Sequence, residues 1–188
     1  MKRELEPQFF LRTINNGPVA IIGSRGENGY NACVVAWTSP ASKSPPSLAL
    51  FLSSGHLSWE NIAQQKSFTV NIPDKALARH AAYLGGVSGR AVPDKLAVCG
   101  MESIQAKFAD APIFPACIAN LECRVLSMDP ETHLVLGEVV YALAEETLFY
   151  DHWRLEQGRY PLHHLGGEYY QCGSEKLVQP RLQAWVQT

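Results

Sequence analysis

Apolar residues fall at alternating positions through several short stretches of this chain, and clusters of Gly, Pro, Asn and Ser separate those stretches. A period of two is the mark of strands with one face turned to a core. Val19-Ala20-Ile21-Ile22 and residues 30–37 predict two strands around Gly26-Glu27-Asn28-Gly29, where Asn and Gly both tolerate the positive φ of a tight hairpin. Residues 39–46 are polar and proline-rich and are expected to break the sheet before a third strand at 47–52. Ser58 is expected to cap a short helix over 59–65, and residues 68–72 alternate as a fourth strand. Asp74 predicts the cap of a further helix that runs to about residue 84 and stops at Gly85-Gly86. Pro93-Asp94-Lys95-Leu96 predicts one or two more helical turns. Residues 117–126 and 133–144 form the arms of a long hairpin turned at Met128-Asp129-Pro130-Glu131-Thr132. Beyond it, Pro161, Gly166-Gly167 and Tyr169-Tyr170 predict irregular chain and a short amphipathic tail.

At least six short strands in hairpin connection, with few helices, predict a mainly β protein: a closed antiparallel β-barrel with short flanking helices. Closure would remove exposed sheet edges. The 188 residues suit a single domain, 1–188. Gly23, Gly26 and Gly29 lack the G-x-G-x-x-G spacing and no helix follows them, so they mark a turn and not a dinucleotide loop.

Composition narrows the function classes. With 46% hydrophobic and 18% charged residues, the globule has surface to be covered, as by a second subunit. The formal charge of −2, with Lys and Arg scattered, excludes nucleic acid as the main partner. No window reaches the roughly 20 apolar residues of a membrane span, and residues 1–7 lack a signal-peptide core, so a cytoplasmic protein is expected. Five cysteines, Cys33, Cys99, Cys117, Cys123 and Cys172, are irregularly spaced and read as buried or idle thiols; no metal is assigned. His163 and His164 are strand neighbours and point to opposite faces, which argues against a shared metal. Glu138, in an apolar strand, requires a cation such as Arg124.

Candidate chemistry concentrates between Asn31 and Ile72. Thr38-Ser39 follows a β-run, and Ser53-Ser54-Gly55-His56-Leu57-Ser58 precedes a helix. Hydroxyls, backbone N–H groups freed at a strand end and a helix N-terminus together suit a phosphate dianion. The plainer reading is that these residues only cap and turn the chain.

The order of motifs along nearly the whole chain resembles the flavin reductase-like group of FMN-binding split barrels, which includes flavoredoxin. The pieces are Asn31-Ala32 through Ala36-Trp37-Thr38-Ser39, Pro45-Pro46, Ser58-Trp59-Glu60-Asn61-Ile62 and Phe68-Thr69-Val70-Asn71-Ile72. They continue with Ser88-Gly89-Arg90, Asp94-Lys95, His133 with Gly137-Glu138-Val139, and Leu165-Gly166-Gly167 with the tyrosines after it, Tyr169-Tyr170. The resemblance implies a homodimer with FMN near the subunit interface. It places Asn31, Ala36, Trp37, Thr38 and Ser39 along the flavin and its ribityl phosphate arm, with Ser53, Ser54, His56, Ser58 and Ser88 in the phosphate cradle. Lys95 would bring a cation to the phosphate, His133 would lie against the flavin edge as a hydrogen-bond donor, and Leu165 would sit near a residue covering the ring. Gly55 departs from the pattern, because the family often has Lys or Arg there; the adjacent His56 is a substitute.

The implied activity is an NAD(P)H-dependent flavin reductase that passes hydride from NADH or NADPH to FMN N5, chemistry that needs no dedicated general base. Two alternatives stay open. One is a flavoredoxin-like carrier that holds FMN and takes electrons from a redox protein partner. The other is a flavin-free split barrel acting as a dimeric scaffold.

Overall fold

The computed structural model describes residues 6–7, 10–14, 17–154, 157–166, 169–173 and 175–178. In chain order the elements are α1 (Phe10–Ile14), β1 (Gly17–Pro18), β2 (Ala20–Gly26), β3 (Gly29–Val35), β4 (Thr38–Lys43), β5 (Pro46–Phe51), α2 (Leu57–Gln65) and β6 (Ser67–Ile72). There follow a 3-10 turn (Lys75–Leu77), α3 (Ala78–Gly86), α4 (Lys95–Cys99), β7 (Ile104–Gln105), β8 (Pro112–Ile113), β9 (Ala119–Asp129) and β10 (Leu134–Ala144). Three short strands close the series: β11 (His163–Gly166), β12 (Tyr169–Cys172) and β13 (Glu175–Val178). Among the described residues, no helix is long and apolar enough to cross a membrane.

Seven strands form one antiparallel sheet in the order β3-β2-β6-β9-β10-β5-β4. Its edge strands, β3 and β4, are consecutive in the chain and joined by Ala36 and Trp37 alone. Laid flat, such a sheet would hold its edges about 29 Å apart, whereas the three peptide units from Val35 to Thr38 reach about 11 Å. The sheet is therefore rolled up, and Ala36-Trp37 crosses its seam. No ladder among the described residues joins β3 to β4; the observed unit is a rolled sheet whose two edges are linked by chain.

Alternation explains the burial. Ala20, Ile22, Cys33 and Val35 join Leu50, Phe68, Val70 and Val135 in the core inside the roll. Their neighbours Ile21 and Ala32 face the other way, into a second core under α3 and α4 with Tyr83, Leu84, Leu96 and Phe114. Strands β2 and β3 are thus covered on both faces, which fixes their register, because a one-residue slip would exchange the two cores. Helix α2 presents Trp59 and Ile62 to the first core. Asp74 accepts from the Ala76 N–H at 2.9 Å, as its capping role requires.

Four local expectations are corrected. In the β2–β3 hairpin the positive φ falls on Gly29 (+103°) and not on Asn28. Residues 39–46 do not end the sheet: most of them form β4, an edge strand where Pro40 is tolerated because no outer partner needs its missing N–H. The chain after Pro161 is not wholly irregular; β11, β12 and β13 pair in sequence, and β11 pairs with β1, setting His164 opposite Gly17. Ser58 is not the cap of α2. His56 stands at that position in extended conformation with no side-chain cap, and the helix begins at Leu57. Residues 179–188, where the short amphipathic tail is expected to end the chain, lie outside the described residues.

Candidate functional site

Where β3 ends, three pieces of chain converge: the seam residues Ala36-Trp37, the loop 53–56 leading into α2, and the C-terminal end of α3 with the loop after it. They enclose two cavities that meet at Val34, His56, Gly85 and Gly86. The wider one, about 420 Å³, has an apolar and aromatic wall that includes Ala36, Trp37, Phe51, His164 and Tyr170. The narrower one, about 220 Å³, is lined by Asn31, Ser58, Ser88, Arg90 and Lys95 among others. One groove thus has an apolar arm and a basic arm. Gly85 keeps the wall close to β3: a Cβ there would sit 3.2 Å from the Val34 Cβ.

In the basic arm, Asn31 donates through Nδ2 to the Ser58 hydroxyl at 2.8 Å. Its Oδ1 is buried and has no partner, in a residue only 5% exposed. Arg90 spans the rim. Its Nη1 donates to the Gly55 carbonyl at 2.8 Å, its Nη2 pairs with Glu60 at 2.5 Å, and its backbone N–H donates to the Ser88 hydroxyl at 3.2 Å. Lys95 enters from below, 2% exposed, and its ammonium donates to the carbonyls of Leu84 (3.0 Å) and Val87 (2.7 Å), at and just beyond the last turn of α3. One of its three N–H donors is left over. Burial pulls the Lys95 ammonium below its ordinary pKa.

His56 lies where these charges overlap. Burial lowers its pKa first, and the positive fields of Lys95, Arg90 and His133 lower it further. Three basic side chains acting on one imidazole make this rim a place where an anion is welcome. Cys33, on the same wall, is no nucleophile at neutral pH, because burial pushes its thiol up.

The groove gathers most of the residues singled out from sequence. Ala36, Trp37, Ser53 and His56 line the apolar arm, and Asn31, His56, Ser58, Ser88 and Lys95 line the basic arm. Ser54 is adjacent and donates its backbone N–H to the His133 Nδ1 at 3.3 Å. His133 itself is exposed, with a left-handed φ of 61° at the tip of the β9–β10 hairpin. Thr38 and Ser39 lie on β4 outside the two cavity walls, Thr38 opposite Leu50 and Ser39 donating its hydroxyl to the Pro40 carbonyl at 3.1 Å. Leu165 is likewise outside them, and its neighbour His164 reaches the apolar arm, its ring centroid 5.2 Å from that of Tyr170.

Sequence reasoning missed Arg90, Phe51, His164 and Tyr170 as wall residues. Arg90 had a signal in the Ser88-Gly89-Arg90 motif. Tyr170 had one in the tyrosines that follow Gly166-Gly167, whereas His164 had none, since its place depends on the pairing of β11 with β12.

The model of the flavin reductase like domain matches residues 12–172. The chain belongs to that family. It is 31% identical over 170 residues to the Escherichia coli (strain K12) protein YddH, covering 86% of this chain and 89% of that one. Among solved structures, an FMN-binding domain of flavin reductases-like enzyme from Shewanella baltica OS155 superposes with a TM-score of 0.78 at 25% identity, covering 92% of this chain and 94% of that one. Flavoredoxin of Desulfovibrio vulgaris (Miyazaki F) gives a TM-score of 0.78 at 23% identity, covering 97% and 95%, and shares the fold. This flavin reductase-like chain has its groove at the seam of the rolled sheet.

Proposed function

We propose that this protein binds FMN in the two-armed groove and serves as an NAD(P)H-dependent flavin reductase. One observation carries the reading: an aromatic-walled cavity of about 420 Å³ lies against a hydroxyl-lined cavity of about 220 Å³ bordered by Arg90, Lys95 and His56, the two sharing Val34, His56, Gly85 and Gly86 as wall residues. A planar apolar ring joined to a phosphate has that same division of chemistry. The fit is supported by Asn31 Oδ1, a buried acceptor without a donor, which a ribityl hydroxyl would satisfy. Gly55 adds room, since its Cβ position meets nothing closer than the Ser53 hydroxyl at 3.7 Å.

In this reading the bound isoalloxazine supplies the redox chemistry, with the nicotinamide of NADH or NADPH as hydride donor. The chain binds and orients. Arg90, the hydroxyls of Ser58 and Ser88 and the spare Lys95 N–H hold the phosphate, and Arg90 stands in for the basic side chain missing at Gly55. Trp37 and Phe51, in edge contact at 6.1 Å, border the ring. His133 accepts from Ser54 at Nδ1, so its neutral form carries the proton on Nε2, free to donate to the ring edge where negative charge develops.

A second copy of the chain would complete the apolar rim, because Trp37 and Phe51 are each 44% exposed. The visible absorption spectrum of the purified protein, before and after anaerobic NADH, tests the reading. Bleaching of a bound flavin by NADH is expected. A yellow protein that only dithionite bleaches is the flavoredoxin-like carrier, and failure to bind FMN removes the redox role.

A further inference from the structure

Three pieces of chain that are distant in sequence meet at Arg159, a side chain that lines neither arm of the groove. Its Nε donates to Asp74 Oδ2 and its Nη1 to Glu145 Oε2, both at 2.5 Å. Glu145 directly follows β10, and its own N–H donates to the Ile118 carbonyl at 3.0 Å, at the foot of β9. Asp74 is 3% exposed, and its two oxygens serve different elements. Oδ1 caps the 3-10 turn that leads into α3, whereas Oδ2 takes the guanidinium. Pro73, beside it, accepts from the Leu162 N–H at 2.9 Å, and the Leu162 carbonyl accepts from the Val19 N–H at 2.7 Å. Residues 157–162 are thus a strap, fastened by charge at Arg159 and by two backbone hydrogen bonds at Leu162.

The strap leads straight into β11, and β11 with β12 brings His164 and Tyr170 to the apolar arm. Another part of the same wall, Ala82, Gly85 and Gly86, belongs to α3. Where strap and helix touch, Leu162 and Tyr170 pack on Ala78 and Ala81. Contacts with small apolar side chains are not directional, so they leave the strap free to shift along the helix. A guanidinium that spans two carboxylates fixes both distance and orientation. Because Asp74 is buried, removing that guanidinium strands a carboxylate that water does not reach.

We propose that Arg159 is the positioning residue of the apolar arm: through Asp74 and Glu145 it sets the strap against α3, and so sets the stance of Tyr170 and His164 towards a bound ring. The proposal rests on the flavin reading above and adds to it a residue that touches no part of the ligand. Its influence falls on the ring and spares the phosphate, since the basic arm is built from other elements.

The test compares Arg159→Met and Arg159→Lys with the unaltered chain, each freed of flavin, by fluorescence titration with riboflavin and with FMN. Arg159→Met is expected to weaken both by the same factor, about tenfold, because the loss falls on the ring they share. Arg159→Lys keeps a charge beside Asp74 but has no fork to span two carboxylates, and an intermediate loss is expected. Gly137→Ala, which crowds the Phe68 ring inside the roll, controls for general destabilisation and should keep riboflavin affinity within about twofold. Amide hydrogen exchange without flavin gives the second readout: Arg159→Met should speed exchange at 160–164 and 170–172 while 68–72 stays protected. Riboflavin affinity unchanged in both Arg159 variants, a loss confined to FMN, or an equal loss in Gly137→Ala overturns the proposal, and so does exchange that rises evenly over the sheet. If the unaltered chain binds neither flavin, the flavin reading falls, and the exchange pattern alone decides whether Arg159 fixes the strap.

Discussion

Asn31 and Ser58, 27 positions apart in sequence, meet through a buried 2.8 Å hydrogen bond that ties the middle of β3 to the first turn of α2. Removing the Ser58 hydroxyl would leave both polar atoms of the Asn31 amide unpaired. Ser58→Ala is therefore expected to cost about 1–3 kcal/mol of stability. The loss should shrink in an Asn31→Leu background, which denaturant unfolding of the two single variants and the double variant will read as a coupling energy.

Arg90 has no neighbour of like charge at Gly55, whose carbonyl it holds. Arg90→Ala should weaken FMN by about tenfold and leave riboflavin, which lacks the phosphate, nearly unchanged. Gly55→Lys is expected to strengthen FMN binding, because Gly55 has no positive φ and its Cβ position meets only the Ser53 hydroxyl, at 3.7 Å. The gain should fade as salt is added. Equal changes for FMN and riboflavin would contradict a phosphate role for this rim.

Burial depresses the pKa of His56, His80 and His163 below the ordinary 6.5. Each then binds its proton more readily in the unfolded chain than in the folded one. Stability must rise with pH from the depressed values up to 6.5, and must fall as pH drops through that window. Urea midpoints measured at about pH 7.5 and about pH 5.5 should show the lower value at the acid end. His56→Gln should reduce the difference, and a flat profile would refute the depressed imidazoles.

On β10, Gly137 faces the fully buried Phe68 ring, with a Cβ position 2.5 Å from its Cζ. Gly137→Ala should cost about 1–3 kcal/mol through overpacking. Gly137→Ala combined with Phe68→Leu should recover part of it, seen as a partial return of the thermal midpoint.

Much of the local structure was legible because its causes are local. The turn before Gly29, the cap at Asp74, the helical turn after Pro93 and the long hairpin after Ala119 each follow from a few adjacent residues. The Arg124–Glu138 pair, 2.5 Å apart, followed from a charge in an apolar strand. What stayed hidden depends on distant pairing. Nothing near Gly17 announces His164 as its strand partner, and only that pairing brings His164 to the groove. Glu122, fully buried and accepting from the backbone N–H groups of Lys107, Phe108 and Ala109, clasps a loop that has no matching motif. For the site, hydroxyl positions were readable from the motif order, whereas the division into apolar and basic walls needed α3 and the loop after it set against β3.

The submerged ammonium of Lys95 has a consequence for timing. By gripping the carbonyls of Leu84 and Val87, it locks the bend from α3 into Ser88 during folding itself. A visitor to the basic arm thus meets scaffolding already erected and forfeits little conformational entropy on arrival. Encounter should be quick, and departure should be decided by the grip on the visitor's charged tail.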